Sequence, residues 1–408
     1  MDQAEKAVIV ETNPNRTTSF SELVSLVETA GGSVEGSLIQ YGIQNPATCL
    51  RKGKLFELKR VINSTCAQLV VFNQELSGTQ VRNLERELDV KVVDRTGLIL
   101  DIFAQRARTA EAKLQTELAQ SYYLLPRLTG HGKQLSRLGG GIGTRGPGET
   151  TLEYDRRVIK KRITRLKREI GIVRKERTEQ RKRRKREFLT ACLVGYTNAG
   201  KSTLFAQLTK EDVERSNMLF TTLDPTSRRI SVCGADLILT DTVGFISDLP
   251  THLISAFRAT LEEVKEADII IHVVDISHPE FREQMRAVDE TLAELKITTN
   301  HRVTVFNKID LLPDRSLISK VMRHHPNSIA ISALKPDAKS KIEEIFLQFP
   351  HFQPKRIVVR LSITDRWYRW LKQKARILEE EVSAEQSKLY VEIPAFLSWR
   401  IEKFKVAA

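Results

Sequence analysis

Gly195-Tyr196-Thr197-Asn198-Ala199-Gly200-Lys201-Ser202 follows the apolar run Leu189 to Val194 and leads into Thr203-Leu204-Phe205, an order that reads as strand, turn and helix. In that context a G-x-x-x-x-G-K-S run forms a phosphate-binding loop. Glycine at 195 and 200 lets backbone N–H groups close around phosphates at a helix N-terminus. Lys201 is then a point charge for the β and γ phosphates, and the Ser202 hydroxyl is a ligand for Mg²⁺.

Three further elements follow in the order that a guanine-nucleotide site requires. The buried-type strand Leu237-Ile-Leu-Thr240 ends in Asp241-Thr242-Val243-Gly244. Its carboxylate is placed to hold the metal, through water in most such sites, and the Gly244 N–H to sense the γ-phosphate. Between loop and strand lies Phe220-Thr221-Thr222-Leu223-Asp224, which must supply a second hydroxyl to the metal. Thr222 is the first choice and Thr221 the second. Both segments describe a switch. The predicted catalytic residues are therefore Lys201, Thr222 and Gly244, and the metal ligands Ser202, Thr222 and Asp241.

Base choice comes from Asn307-Lys308-Ile309-Asp310 after the β-rich run Val303-Thr-Val-Phe306. A carboxylate at 310 accepts from both donors on the guanine edge, whereas adenine would leave it unpaired. Discrimination of roughly 10⁴-fold is expected of such a site. Ser332-Ala333-Leu334 falls where backbone N–H groups meet the guanine carbonyl. Phe245 stands directly after Gly244, where many Ras-like GTPases place a Gln that orients water. A phenyl ring has no group for that task, so slow unaided hydrolysis is expected. Asn198 is either a ligand for K⁺ beside the phosphates or a residue that hydrogen-bonds within its own loop.

The chain has 408 residues, 41% hydrophobic and 28% charged, which implies a soluble protein of two to four domains. The polar, acidic Met1-Asp-Gln-Ala-Glu-Lys start is unlike a signal peptide, and the longest apolar runs, such as Ile269 to Val274, are strand-sized. Cys49, Cys66, Cys192 and Cys233 follow no paired spacing. A cytoplasmic protein with reduced cysteines and no stable membrane insertion is expected. Charge is distributed far from evenly. Residues 156 to 186 hold 17 Lys or Arg against 3 Asp or Glu, a net of +14 that equals the formal charge of the whole chain.

Residues 1–100 alternate β-type and amphipathic runs, Val8 to Val10 then Phe20 to Val27, Leu38-Ile39 then Leu55 to Ile62, Leu69 to Phe72 then Val81 to Leu88, and Val90 to Val93. This pattern predicts a small parallel-sheet α/β subdomain. Gly53-Lys54 opens the second helix and is either a phosphate site or a plain loop-to-helix turn. Residues 101–187 read as a long antiparallel helical hairpin. Its stripes are Leu114, Leu118, Ser121 or Tyr122 and Leu125 on one side, and Ile159, Ile163, Leu166, Ile170 and Val173 on the other. The second helix, Thr151 to about Glu187, would be roughly 55 Å long. Its distal run Arg181 to Arg186 is either a solvated strut or a phosphate-binding rod. Six glycines lie in Gly139 to Gly148. The Gly141-x-Gly143-x-x-Gly146 spacing there lacks the preceding strand of a dinucleotide site, so the loop is a linker or a close RNA contact around Arg145. A P-loop Ras-like GTPase domain is expected over 188–350. A small α+β domain is expected over 351–408, with Ile357 to Ile363 a strand, Trp367 to Glu381 a helix, Leu389 to Ile393 a strand and a helix near Trp399. Its tryptophans, Trp367, Trp370 and Trp399, serve the core or stack on RNA.

The combination resembles the HflX family of translational GTPases. The resemblance rests on Asp94-Arg-Thr-Gly-Leu-Ile-Leu-Asp-Ile-Phe-Ala-Gln-Arg-Ala107, Gly146-Pro-Gly-Glu-Thr150, the phosphate loop, Thr222-Leu-Asp-Pro-Thr226 and Asp241-Thr-Val-Gly-Phe-Ile246, and spans about residues 35 to 350. It implies a GTPase that binds GTP with Mg²⁺, docks on the large ribosomal subunit and its RNA, is stimulated there, and separates stalled or idle 70S ribosomes. It also implies that the Gly-rich tip reaches toward the peptidyl-transferase region. A monomer is expected. The competing readings are a ribosome-assembly or tRNA-modification GTPase, and a membrane-surface signalling GTPase. The last would need large apolar residues opposite the charges from Arg174 to Arg186, and none occurs there.

Overall fold

A computed structural model describes residues 4–12, 17–128, 151–185, 188–210, 218–232, 235–247, 258–297, 301–349, 352–383 and 386–406. Contacts divide the chain into two units. The first comprises Met1–Gln180, Ser216–Asp224 and Val243–Leu261; the second comprises Arg181–Arg215, Pro225–Thr242 and Glu262–Ala408.

In the first unit, strands β1 (Glu5–Glu11), β2 (Gly32–Ile39), β3 (Leu69–Phe72) and β4 (Lys91–Asp94) make a parallel sheet in the order β2-β1-β3-β4. Parallel strands need crossover helices, supplied by α1 (Thr17–Thr29), α2 (Lys52–Thr65) and α3 (Gly78–Leu88). The unbroken apolar runs of β1 and β3 mark strands covered on both faces. Val8, Val10, Val70 and Phe72 accordingly pack with Leu58, Ile62 and Leu84. Ser77 and Gln80 form a capping box that starts α3.

Beyond β4 the chain forms a helix that the periodicity did not separate, α4 (Arg95–Arg106), then α5 (Ala110–Leu124) and α6 (Thr151–Lys185). Asp94 caps α4 by accepting from Gly97 N at 2.8 Å, and Thr109 caps α5 by accepting from Ala112 N at 3.1 Å. The two caps divide what the hydrophobic pattern joins. The hairpin seam is the expected one up to Ile170, while Val173 is half-buried and lies outside the cluster. Leu118, Ile163 and Leu166 are buried, with Leu114, Tyr122, Leu125, Ile159 and Ile170 around them. Ion pairs flank it, Arg162 Nε to Glu117 at 2.7 Å and Arg177 Nε to Glu111 at 2.7 Å. At 35 residues, α6 is about 50 Å long. The Gly-rich run 139–148 and its Arg145 lie outside the described residues, as do the side chains from Arg181 to Arg186.

In the second unit a six-stranded sheet has the order β10-β9-β8-β5-β7-β6. Its strands are β5 (Leu189–Val194), β6 (Thr226–Val232), β7 (Ala235–Asp241), β8 (Ile269–Asp275), β9 (Arg302–Asn307) and β10 (Ser328–Ala330). All pairings are parallel except β6 with β7. Leu193, Leu239, Ile271, Val273 and Val305 form the middle of its core. The carboxyl ends of β5, β7, β9 and β10 therefore lie along one edge, the edge where open α/β sheets bind ligands.

The C-terminal block holds β11 (Pro354–Ser362), β12 (Arg376–Val382) and β13 (Gln386–Pro394), antiparallel in the order β11-β13-β12. Two expectations fail here. The helix expected from Trp367 to Glu381 is Arg366–Lys374, and the remainder is β12. Arg376-Ile-Leu-Glu-Glu-Glu has no breaker and favours helix by propensity, but pairing with β13 decides its state. Near Trp399, Ala395–Ser398 makes one helical turn and Trp399–Phe404 is a 3-10 helix. Trp367 and Trp370 pack on the sheet's apolar face, which supports the core reading of both. Lys374 Nζ donates to Asp236 Oδ2 of β7 at 2.5 Å.

Candidate nucleotide site

The phosphate loop leaves β5 at Gly195 (φ 153°) and enters helix α7 (Lys201–Thr209) through Gly200 (φ 93°), with Asn198 left-handed at φ 59°. Any side chain at 195 would overlap the Val273 carbonyl oxygen, and one at 200 the Asn307 amide. Both glycines are thus fixed by close approach as well as by backbone conformation. Tyr196, Thr197 and Ala199 are buried, and the Thr197 hydroxyl oxygen has no hydrogen-bond partner among the described residues.

Lys201 is 6% exposed, and its ammonium donates to the carbonyls of Gly195 at 3.0 Å and Tyr196 at 2.8 Å. Burial brings its pKa down to about 8, against the attraction of Asp241. Two neutral carbonyls are weak compensation for a buried cation, so an anionic phosphate is the stronger partner. Ser202 Oγ donates to Asp241 Oδ2 at 2.8 Å, which brings together the two oxygens predicted for the metal from opposite ends of the motif. A hydroxyl beside a carboxylate is a hard-oxygen set suited to Mg²⁺. Thr242 Oγ1 donates to the Leu193 carbonyl at 2.6 Å and fixes the end of β7 against β5.

At the base end, Asn307 Nδ2 donates to the Ala199 carbonyl at 2.9 Å while its Oδ1 accepts from Ala333 N at 2.8 Å. Asn307 therefore ties the phosphate loop to the Ser332 loop. Lys308, at φ 62°, pairs with Asp275 Oδ2 at 2.7 Å. Asp275 was not singled out from the sequence; its signal is an acidic residue closing the apolar run of β8. Asp310 sits exposed on the one-turn 3-10 helix Ile309–Leu311, Leu334 is exposed, and Ser332 is buried with a hydroxyl that has no partner among the described residues.

The switch residues belong by their contacts to the first unit. Phe220 is buried at φ 52° and meets Phe103 edge-on with centroids 4.8 Å apart. Thr221 is exposed, Thr222 half-buried and Leu223 buried. The Asp224 carboxylate accepts from Arg108 N at 3.0 Å, from Thr109 N at 3.1 Å and from the Thr109 hydroxyl. Val243, Gly244, Phe245 and Ile246 are buried.

Phosphate loop, metal pair and base loop share one edge of a nearly parallel sheet, and that arrangement defines the class: a P-loop GTPase. Family models agree along the chain. Residues 17–104 match "GTP-binding GTPase N-terminal", 106–184 "GTP-binding GTPase Middle Region" and 190–308 "50S ribosome-binding GTPase". A relative from Caldanaerobacter subterraneus subsp. tengcongensis, "GTPase HflX", is 42% identical over 99% of this chain and 94% of its own length. The Escherichia coli "GTPase HflX" is 43% identical over 81% of this chain and 80% of its own. The chain belongs to the HflX family and is a GTP-binding, GTP-hydrolysing enzyme. Among solved structures, a GTP-binding protein from Sulfolobus solfataricus in complex with GDP is 26% identical, covering 84% of this chain and 98% of that one, with a TM-score of 0.47. No helix among the described residues is long and apolar enough to cross a membrane.

Proposed function

We propose that this enzyme docks on the large ribosomal subunit through ribosomal RNA and uses GTP to separate stalled or idle 70S ribosomes. The observation that carries the proposal is α6. One 35-residue helix carries a net charge of +11 against +14 for the whole chain and ends at Lys185, four residues before β5 begins. Arg156, Arg157, Lys160, Lys161, Arg165 and Arg168 line one groove along it, a spacing suited to successive phosphates. The family-model match to a 50S ribosome-binding GTPase, and the relatives named HflX, support the same partner.

In the site, Lys201 would exchange its loop carbonyls for the β and γ phosphates, and Ser202, Asp241 and Thr222 would hold Mg²⁺. Mg²⁺, when bound, offsets the charge that develops on the γ-phosphate. Gly244 N–H reports the γ-phosphate, and Asp310 selects guanine. With phenylalanine at 245, hydrolysis is slow until the ribosome supplies the missing stabilisation. Asn198, held left-handed in the loop, is the residue for a K⁺ ligand. The protein acts as a cytoplasmic monomer.

Sedimentation of 70S particles through sucrose with the protein and a non-hydrolysable GTP analogue tests the reading. Free subunits should appear with the analogue and not with GDP. Intact 70S particles in both, with the protein on precursor particles or tRNA instead, would replace splitting by assembly or modification.

A further inference from the structure

Two hydroxyls beside the phosphate loop have protein partners, Ser202 Oγ on Asp241 and Thr242 Oγ1 on the Leu193 carbonyl. Thr197, inside the loop, has none among the described residues, although it is only 6% exposed. A threonine hydroxyl commonly settles on a nearby carbonyl, as Thr209 of α7 does on Phe205 O at 2.9 Å. Around Thr197 those carbonyls are engaged otherwise. Gly195 O and Tyr196 O accept from the Lys201 ammonium, and Ala199 O accepts from Asn307 Nδ2. A covered hydroxyl that has given up water without gaining a bond is destabilising, and one kept in that condition calls for a ligand.

The loop has a direction. Its later part is tied to the base loop, because Asn307 bridges Ala199 O and Ala333 N. Its first part holds the ammonium of Lys201, the cation for the β and γ phosphates. A nucleotide laid from the base loop toward that ammonium passes Ala199 and Gly200 first, and its terminal phosphate comes to the end of the loop that carries Thr197. Asn198 is exposed and Ala199 ends in a methyl group, whereas Thr197 combines burial with an unpaired donor.

We infer that Thr197 is a γ-phosphate ligand, whose hydroxyl donates to a terminal oxygen that GTP has and GDP lacks and so sets the preference between the two. A hydrogen bond to an ionised oxygen is roughly twice as strong as one between neutral groups. The Thr197 hydroxyl has no bond to a described residue to give up for it. Such a contact requires the loop to be the phosphate site, as in the function proposed. It adds a side-chain ligand at position 197, one of the places that the G-x-x-x-x-G-K-S pattern leaves open.

Thr197→Val keeps the branched shape and removes the donor. Calorimetric titration of the full chain, with Mg²⁺ present, should show affinity for a non-hydrolysable GTP analogue lowered about ten-fold or more and GDP affinity unchanged, the loss expected for one bond to a charged group. Thr197→Ser should keep the wild-type ratio; a serine variant that behaves like valine would show that shape sets the ratio and would overturn the inference. The melting temperature of the nucleotide-free protein should stay level or rise with valine, because the hydroxyl removed is unpaired. A structural hydroxyl would give the opposite, a lower melting temperature with both affinities unmoved. Equal weakening of the two nucleotides would place the contact on the β-phosphate and also refute the assignment. Lys201→Ala separates this contact from the site itself. If that variant binds both nucleotides as the wild type does, the loop is not the phosphate site and both readings fall; if it loses binding while Thr197→Val leaves the ratio unmoved, Thr197 alone is refuted.

Discussion

Asp310 is exposed on its one-turn helix, and its proposed role as the guanine acceptor is open to a direct test. Asp310→Asn should weaken GTP by 100-fold or more, within the roughly 10⁴-fold range of such polar selection, and improve xanthosine triphosphate. Competition binding with both nucleotides reads this directly, and unchanged preference would remove the base assignment. A second residue governs acid stability. His272 in β8 is buried, and burial, with the Arg302 guanidinium beside it, holds its pKa well below the usual histidine range. Below about pH 6.5 the unfolded chain gains a proton there that the folded chain refuses, so stability falls on acidification, by up to about 1.4 kcal/mol per pH unit from this group. His272→Gln should flatten that part of a melting-temperature profile between pH 6.5 and 5; an unchanged slope would assign the effect elsewhere. The phosphate-loop residues were legible because their motif prescribes local backbone. Asn307 was legible as part of a motif, but its bonds to Ala199 and Ala333 depend on two loops that meet only in the folded sheet.

Helices were legible where one stripe meets one partner. The seam residues of α5 and α6 stand as the spacing predicts, because two amphipathic helices joined by a loop have few other ways to bury them. Leu166 is fully buried in that seam. Leu166→Ala should cost about 2–4 kcal/mol of local stability. Trypsin should then cut α6 faster while nucleotide affinity stays at the wild-type value, and equal cleavage rates would show that the seam does not hold the helix. Replacing Arg156, Arg157, Lys160 and Lys161 with Gln should weaken large-subunit binding and flatten its salt dependence by up to four counterions. Binding that keeps its affinity and salt slope would discard α6 as the RNA contact. Two elements escaped the sequence reading for opposite reasons. The boundary between α4 and α5 is set by the Thr109 cap, inside a stretch that the hydrophobic pattern joins. The state of β12 is set by a partner strand still to come in the chain.

At the scale of the whole molecule, hydrolysis should be limited by what Phe245 lacks. Single-turnover GTP hydrolysis should rise strongly on adding large subunits. If Asn198 ligates potassium it should also be faster in K⁺ than in Na⁺, a difference lost in Asn198→Ala. Fast turnover without subunits would refute the need for an activator, and equal rates in the two salts would remove potassium alone. The grouping of residues 218–224 and 243–247 with the N-terminal sheet could not be read from the motifs, which sit between strands of another sheet. A piece cut out at residues 188–350 would carry residues 218–224 and 243–247 away from the helices that hold them, so the nucleotide-binding sheet and its two switch segments do not make one portable part.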